Sequence, residues 1–410
     1  MRPVQTHLSE ALGALRPVPP LDVVLADAAG CILAEDVLAP ADVPARDVAL
    51  HDGYAVRHDD VYGAADGGAV SLPVVQDVWS GAVEPVRLVP GQAIRVSTGV
   101  PVPLGADTVL PLEVTDRGTA TVRVLRPSPA GAGVRHAAVD VVAGQVAIAA
   151  GVRLGARQIS LAAALGRQRL RVHPRPRVVI LPVGSELIEP GRRGDGVYNA
   201  NGQALAIAVQ DAGAVAIPVA AVSDDRATLR EMIEDQLVRA DLLITTGGLS
   251  EGTHDTLKDV LGPLGTVRFD HVAVSPGRHQ GFGMLGEGEG EGQVPIFALP
   301  GQPVAAQISY EVFVRPALRA MAGKADLFRP SVAAYADVAW SSPADVRQFV
   351  PAHLVGSPDE GYRVTPVGDP ATLDQLSLSA LSDANALAVV PEHQTFVQLG
   401  ERVNCLVLEG

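Results

Sequence analysis

Residues 241–255 read DLLITTGGLSEGTHD, and this stretch limits the chain's fold more than any other. An apolar run from Leu242 to Ile244 fits a buried strand. Two threonines and the pair Gly247-Gly248 end it, and residues 256–261 open a helix. Strand, glycine turn, helix is how α/β proteins hold phosphate. Glycine lets backbone N–H groups approach the ligand, and a helix N-terminus favours negative charge. A related turn, Leu299-Pro300-Gly301-Gln302-Pro303, follows the apolar run 296–299. Two such turns in one α/β unit suggest one anionic ligand gripped from two sides.

Two other readings fit the same residues. Gly248-Leu249-Ser250-Glu251-Gly252 matches G-x-S-x-G, the nucleophile elbow of serine hydrolases, in the strand–turn–helix context that motif requires. Ser250 would then be the nucleophile, with His271, His279, His353 or His393 as base. The plainer reading is a tight turn without chemistry, because glycine and serine are common in turns.

A chain of 410 residues buries large cores and divides into several domains. With 47% hydrophobic and 19% charged residues it is globular rather than disordered. The net charge of −14 argues against nucleic acid or an anionic membrane surface as partner. An anionic substrate would need local help from arginine, helix ends or a metal ion. Cys31 and Cys405 lie far apart with no CxxC, so buried, inert thiols are expected rather than a disulfide or zinc site. The opening residues carry no apolar signal core, and no apolar run spans a membrane, so the chain reads as soluble and cytoplasmic.

Residues 4–15 have apolar residues at helical spacing. From about 21 to 173 the chain reads as β-rich, with strands at 93–96 and 121–125 and a helix at 158–166. After the proline-stiffened segment 173–177, strands are expected at 178–183, 215–222, 242–246, 267–274 and 296–299. Helices are expected at 201–212, 225–239 and 304–321. This alternation predicts a three-layer, mostly parallel sheet. Residues 286–292, GEGEGEG, read as a hairpin tip. A last segment has short strands at 332–339, 348–355, 362–366, 386–390 and 402–408, which fit a small β-barrel or sandwich. The expected domains are therefore 1–173 (linker and β-rich), 174–325 (α/β) and 326–410 (β-barrel).

Ordered motifs along nearly the whole chain resemble one family. His51-Asp52-Gly53-Tyr54-Ala55-Val56 is similar to M-D-G-Y-A-V, and Ser97-Thr98-Gly99-Val100-Pro101 with Gly105-Ala106-Asp107 to a T-G-x-P-x-P-x-G-A-D run. Val183-Gly184-Ser185-Glu186-Leu187 resembles a G-D-E-L segment, and Tyr198-Asn199-Ala200-Asn201 resembles Y-(D/N)-S-N. The two glycine turns resemble S-G-G-V-S-x-G-x-x-D and L-P-G-N-P-V-S. The family is that of the molybdopterin molybdenumtransferases of the MoeA type, shared with the C-terminal part of gephyrin.

The resemblance implies that molybdate and adenylylated molybdopterin are substrates, that molybdenum is placed on the dithiolene sulfurs with release of AMP, and that Mg²⁺ assists. It implies Asp52, Glu186, Asp140 and Asp255 as catalytic carboxylates, with Asp52, Glu186 and Asp255 on the metal. It implies ligand contacts at Thr98, Gly247, Gly248, Ser250, Ser275, Arg278, Pro300 and Gly301. It also implies a homodimer, in which Asp52 and Asp140 of one copy serve the α/β domain of the other, and a molybdopterin adenylyltransferase as a partner. Magnesium prefers oxygen ligands and neutralises phosphoryl charge, so acidic residues beside an anion are consistent with it. Each carboxylate has a structural reading as well: Asp52 shapes a turn, Asp140 is solvated, Glu186 caps a helix, Asp255 is an N-cap.

The departures from the family pattern cluster on the ligand face. K-P-G-K-P appears as Ser275-Pro276-Gly277-Arg278-His279, so one lysine is lost and the other becomes arginine. R-x-x-G-E-D reads Arg135-His136-Ala137-Ala138-Val139-Asp140. Ser185, Gln302 and Ala305 replace Asp, Asn and Ser, and Asp374-Gln375-Leu376 stands where Gly-Ser-Gly is usual. This pattern leaves a non-catalytic paralogue, which binds the pterin cofactor or a protein partner, as the alternative to a working transferase.

Overall fold

The computed structural model describes residues 1–66, 68–79, 86–126, 128–249, 256–286 and 292–408. It forms two units: residues 1–23, 30–34 and 171–410 make the first, and residues 24–29 and 35–170 the second.

The first unit holds a six-stranded sheet. Its order is Val215–Pro218, Arg177–Pro182, Leu242–Thr246, Val294–Leu299, His279–Leu285, Arg268–His271. The first four strands are parallel and the last two antiparallel. Continuous apolar runs form the central strands because both faces are covered. Val178, Ile180, Leu242 and Ile244 pack on one side of the sheet, with Leu205 and Val209 of the helix Ala200–Asp211. Val179, Leu181, Leu243 and Ile296 pack on the other side, with Leu229 and Ile233 of the helix Arg226–Leu237. Asn199 and Asp225 start these helices by accepting from the backbone N–H of Gly202 and Thr228, each at 2.9 Å. Gly213, at φ +91°, closes the first of them.

The chain lays its second parallel strand on one side of the first and its third on the other. Connections therefore diverge between Arg177–Pro182 and Leu242–Thr246, which opens a crevice at the carboxyl ends of these strands.

Three elements differ from expectation. The strand expected at 267–274 divides into Arg268–His271, in the sheet, and Val274–Ser275, which pairs with Arg347 and Gln348 instead. His279–Leu285 is a strand with no clear sequence signal, since Gly281 and Gly283 interrupt its apolar pattern. A Cβ at Gly283 would lie 2.4 Å from Val267 Cα, so close packing in the sheet admits only glycine there. The helix expected at 304–321 consists of Pro303–Ser309, a π-helical turn Tyr310–Val314 and Arg315–Met321. Pro316 has no N–H to donate back into the helix, and the widened turn lies directly before it.

Five strands close the barrel. Arg347–Ser357 pairs with Gly361–Pro366 and Ala386–Val390, and Arg402–Val407 closes the ring through Ser331–Ala336. Ala334, Ala352, Ala386 and Ala388 line its core beside Val350, Val364 and Cys405, small residues that suit a narrow interior.

The second unit is built on a sheet in the order Thr108–Pro111, Gly53–Val56, Ala93–Val96, Val70–Val78, Thr121–Val124. Its helix Ala156–Ala164 covers most of the segment expected to be helical. Cys31 and Cys405 are buried and unpaired with each other, and burial pushes the Cys405 thiol up to about 12. Among the described residues no helix is long and apolar enough to cross a membrane. Residues 287–291 of the GEGEGEG run lie outside the described residues, and the strands flanking it pair antiparallel with Leu285 opposite Val294.

Candidate functional site

The two glycine turns leave adjacent parallel strands, Leu242–Thr246 and Val294–Leu299, at their carboxyl ends. Gly247 holds φ +90° and Gly248 φ +68°, a left-handed region costly for other residues. A Cβ on Gly247 would lie 2.3 Å from the Val183 carbonyl oxygen. The Gly247 N–H donates to the Leu299 carbonyl at 3.1 Å, and a Cβ on Gly301 would stand 3.2 Å from Gly247 Cα. The turns thus pack backbone to backbone. Asn201, in the first turn of the helix Ala200–Asp211, fastens the second one: its Nδ2 donates to the Gly301 carbonyl at 2.8 Å.

A cavity of about 530 Å³ lies on these turns, lined by Gly247, Gly248, Pro300 and Gly301 together with Glu186 and Asp224. Its described lining contains these two carboxylates and no lysine or arginine. An anion there would meet backbone N–H groups and a negative field, so it requires a cation of its own.

Sequence reasoning missed Asp224. Its signal was the loss of the aspartate at Ser185. The Ser185 N–H donates to Asp224 Oδ2 at 3.1 Å, and Ser185 Oγ accepts from the Asp224 N–H at 3.1 Å. The serine therefore fixes a carboxylate brought from the loop after Val215–Pro218. Glu186 does not cap a helix: Asn199 holds the next N-cap, and Glu186 precedes the short strand Leu187–Ile188. Gln302 preserves the N-cap of Pro303–Ser309 by accepting from Ala305 N–H at 2.7 Å, and it donates to the Leu376 carbonyl at 3.2 Å.

Ser275 and Arg278 lie apart from the glycine turns, on a cavity of about 270 Å³. His279 lines both this cavity and the larger one. Arg278 is exposed and forms no ion pair among the described residues. His353 Nε2 donates to Asp383 Oδ2 on the barrel at 3.0 Å, and His393 belongs to the barrel region as well. Ser250 and Asp255 lie outside the described residues.

In the second unit Asp52 and Thr98 come together. Asp52 Oδ1 accepts from the Thr98 N–H at 2.7 Å and from its hydroxyl at 2.8 Å. The backbone bond, then the hydroxyl, holds this exposed carboxyl below its usual range. Gly53 follows because a Cβ there would lie 1.9 Å from the Leu110 carbonyl oxygen. Asp140 is exposed and paired with Arg135 Nη2 at 2.6 Å. Val139, in place of an acidic residue, is 59% exposed. Among the described residues no group of three or more His, Cys, Asp or Glu side chains is arranged for a metal. Glu186 and Asp224 are a two-carboxylate, all-oxygen pair. That suits magnesium, which commonly takes one or two carboxylates and completes its shell with phosphate and water.

Three family models match in series: the MoeA N-terminal region (domain I and II) over residues 2–166, a probable molybdopterin binding domain over 179–320, and the MoeA C-terminal region (domain IV) over 333–408. The chain is 40% identical over 422 residues to molybdopterin molybdenumtransferase 1 of Mycobacterium tuberculosis (strain H37Rv), covering 98% of this chain and 97% of that protein. It is 37% identical over 411 residues to molybdopterin molybdenumtransferase 2 of the same organism, covering 98% of each. Among solved structures, a molybdopterin biosynthesis MoeA protein from Pyrococcus horikosii superimposes with a TM-score of 0.79 at 28% identity, over 100% of this chain and 99% of that one.

Proposed function

Because the chain belongs to the molybdopterin molybdenumtransferase family, we propose that it is a transferase that inserts molybdenum, from molybdate, into adenylylated molybdopterin and releases AMP. The observation that carries this reading is the cavity on the paired glycine turns, lined by those turns and by two carboxylates. The turns at Gly247-Gly248 and Pro300-Gly301 bind the pyrophosphate through the N–H groups of Gly248 and Gly301, and Asn201 keeps the second turn in register with the first. Glu186 and Asp224 would hold Mg²⁺, which would neutralise charge on the phosphoryl oxygens when bound. Ser185 orients Asp224. Thr98 favours the ionised form of Asp52 and holds it in place.

The finer parts of the reading are proposals of the same kind. The working parts are residues 1–173, 174–325 and 326–410. Two copies pair so that Asp52 and Asp140 of one serve the α/β domain of the other, Asp255 joins the metal ligands, and Ser250 joins the phosphate contacts. An adenylyltransferase delivers the substrate in the cytoplasm.

The test supplies purified protein with adenylylated molybdopterin, molybdate and magnesium. AMP release, coupled to activation of a molybdenum-free apoenzyme, is expected. Glu186→Gln and Asp224→Asn should each lower AMP release by at least tenfold. Pterin binding without AMP release would replace the transferase by the non-catalytic reading.

A further inference from the structure

We propose that His271 and His279, facing each other across two antiparallel strands, form a binding site for a divalent copper or nickel ion. His279 ends the segment Ser275-Pro276-Gly277-Arg278-His279, where the related motif has proline. The histidine is therefore a departure of this chain that the transferase reading does not use, and the site stands apart from that reading.

The strand register places the pair. His271, at the end of Arg268–His271, lies directly opposite His279, at the start of His279–Leu285. The Val272 N–H donates to the Arg278 carbonyl at 2.8 Å. With that bond at the next position, the two histidines form a narrow, non-hydrogen-bonded pair of the ladder. Such pairs hold their Cα atoms about 4.5 Å apart and project both side chains from one face of the sheet. The ring centroids lie 4.6 Å apart.

That spacing fits chelation. With a nitrogen of each ring about 2.0 Å from one ion, the centroids stand about 4.5 Å apart when the two bonds meet at a right angle, and about 5.2 Å apart at the tetrahedral angle that zinc prefers. The observed value matches the right angle, which suits copper and nickel with nitrogen and oxygen ligands. The χ2 torsion of histidine is soft, so a nitrogen of each ring can turn to the shared point. Phe269 and Gly281, the next pair on this face, are apolar, and a Cβ on Gly281 would lie 2.9 Å from the Phe269 ring. That ring shields one side of the site from water. His271 is exposed and His279 is half-buried, so an ion has access from solvent. Among the described residues no group of three or more His, Cys, Asp or Glu side chains is arranged for a metal, so water or an anion completes the shell.

The test is calorimetric titration of the full chain with Ni²⁺ alone at about pH 7.5, where free imidazole is neutral. One Ni²⁺ per chain is expected. His271→Phe and His279→Phe should each bind it at least tenfold more weakly, because a single imidazole lacks its chelating partner. Acidification to about pH 5.5 should weaken binding at least tenfold as well, since protons compete for the ring nitrogens. His353→Phe, on the barrel, should leave the affinity unchanged. Electron paramagnetic resonance of the Cu²⁺-loaded chain should show coupling to two ring nitrogens, reduced to one in His271→Phe. His271 is exposed, so its variant reports on the site even where the His279 variant misfolds. Absence of one-to-one binding, unchanged affinity in His271→Phe, or an equal loss in His353→Phe would overturn the proposal.

Discussion

At the residue scale, backbone geometry separates two glycines that look equivalent in sequence. Gly248 has φ +68°, and a Cβ there would lie 3.2 Å from Leu257 Cβ. Gly248→Val therefore loses stability as well as ligand binding, by about 1–3 kcal/mol in urea unfolding. Gly301 has no positive φ, and its missing Cβ points at Gly247 Cα. Gly301→Ala should thus cost less stability while cutting phosphate-dependent AMP release at least tenfold; normal AMP release would show that the gap between the turns is not a ligand site. Arg278 gives a second residue-level prediction. It is an exposed cation without an ion pair among the described residues, on the cavity shared with Ser275. Arg278→Ala should weaken molybdate binding by about 1 kcal/mol, a modest value because water screens the charge. The difference should shrink as salt rises, and a salt-independent difference in calorimetry would remove Arg278 from the anion's surroundings.

At the element scale, the opening helix Val4–Ala14 carries a pH response. His7 is 3% exposed, its ring lies 5.0 Å from that of Phe313, and Nε2 has no hydrogen-bond partner among the described residues. Burial lowers its pKa to about 4, assisted by Arg2 and Arg268 and opposed by Asp270. The folded form therefore keeps His7 neutral while the unfolded chain takes up a proton below the ordinary value of 6.5. The penalty is absent above about pH 6.5, grows as pH falls, and levels off below about 4. Between pH 7.5 and 5.0 it amounts to about 2 kcal/mol. Urea unfolding at these two pH values should show His7→Leu losing about that much less stability than the parent chain. Equal losses would mean that His7 is protonated in the fold as readily as outside it. Helix periodicity located this element from sequence, yet a histidine on its apolar side gives no hint of whether it is buried neutral or exposed.

At the scale of the whole molecule, the dimer is the remaining prediction. Sedimentation at micromolar concentration should give twice the mass of the 42.4 kDa chain, and a monomer would contradict the proposed sharing of Asp52 and Asp140. Much of the architecture is readable in the sequence because local rules suffice for it. Apolar runs such as Leu242–Thr246 specify doubly buried strands, alternating segments specify the barrel, and Asn199, Asp225 and Gly213 mark helix ends through their own side chains or backbone freedom. The same locality explains the misses. His279–Leu285 is a strand because Gly281 and Gly283 let the flanking strands Arg268–His271 and Val294–Leu299 approach, and those contacts lie beyond the few residues over which periodicity acts. Sequence motifs also nominated the two glycine turns, Glu186, Asp52 and Thr98, though not the contact between the last two. Only the tertiary structure brought Asp224 to the cavity that Glu186 lines, set Asn201 against Gly301, and placed Gln348 opposite Ser275. Propensity and periodicity act over a few residues, whereas a site's charge and hydrogen bonding depend on groups that chain folding alone makes neighbours.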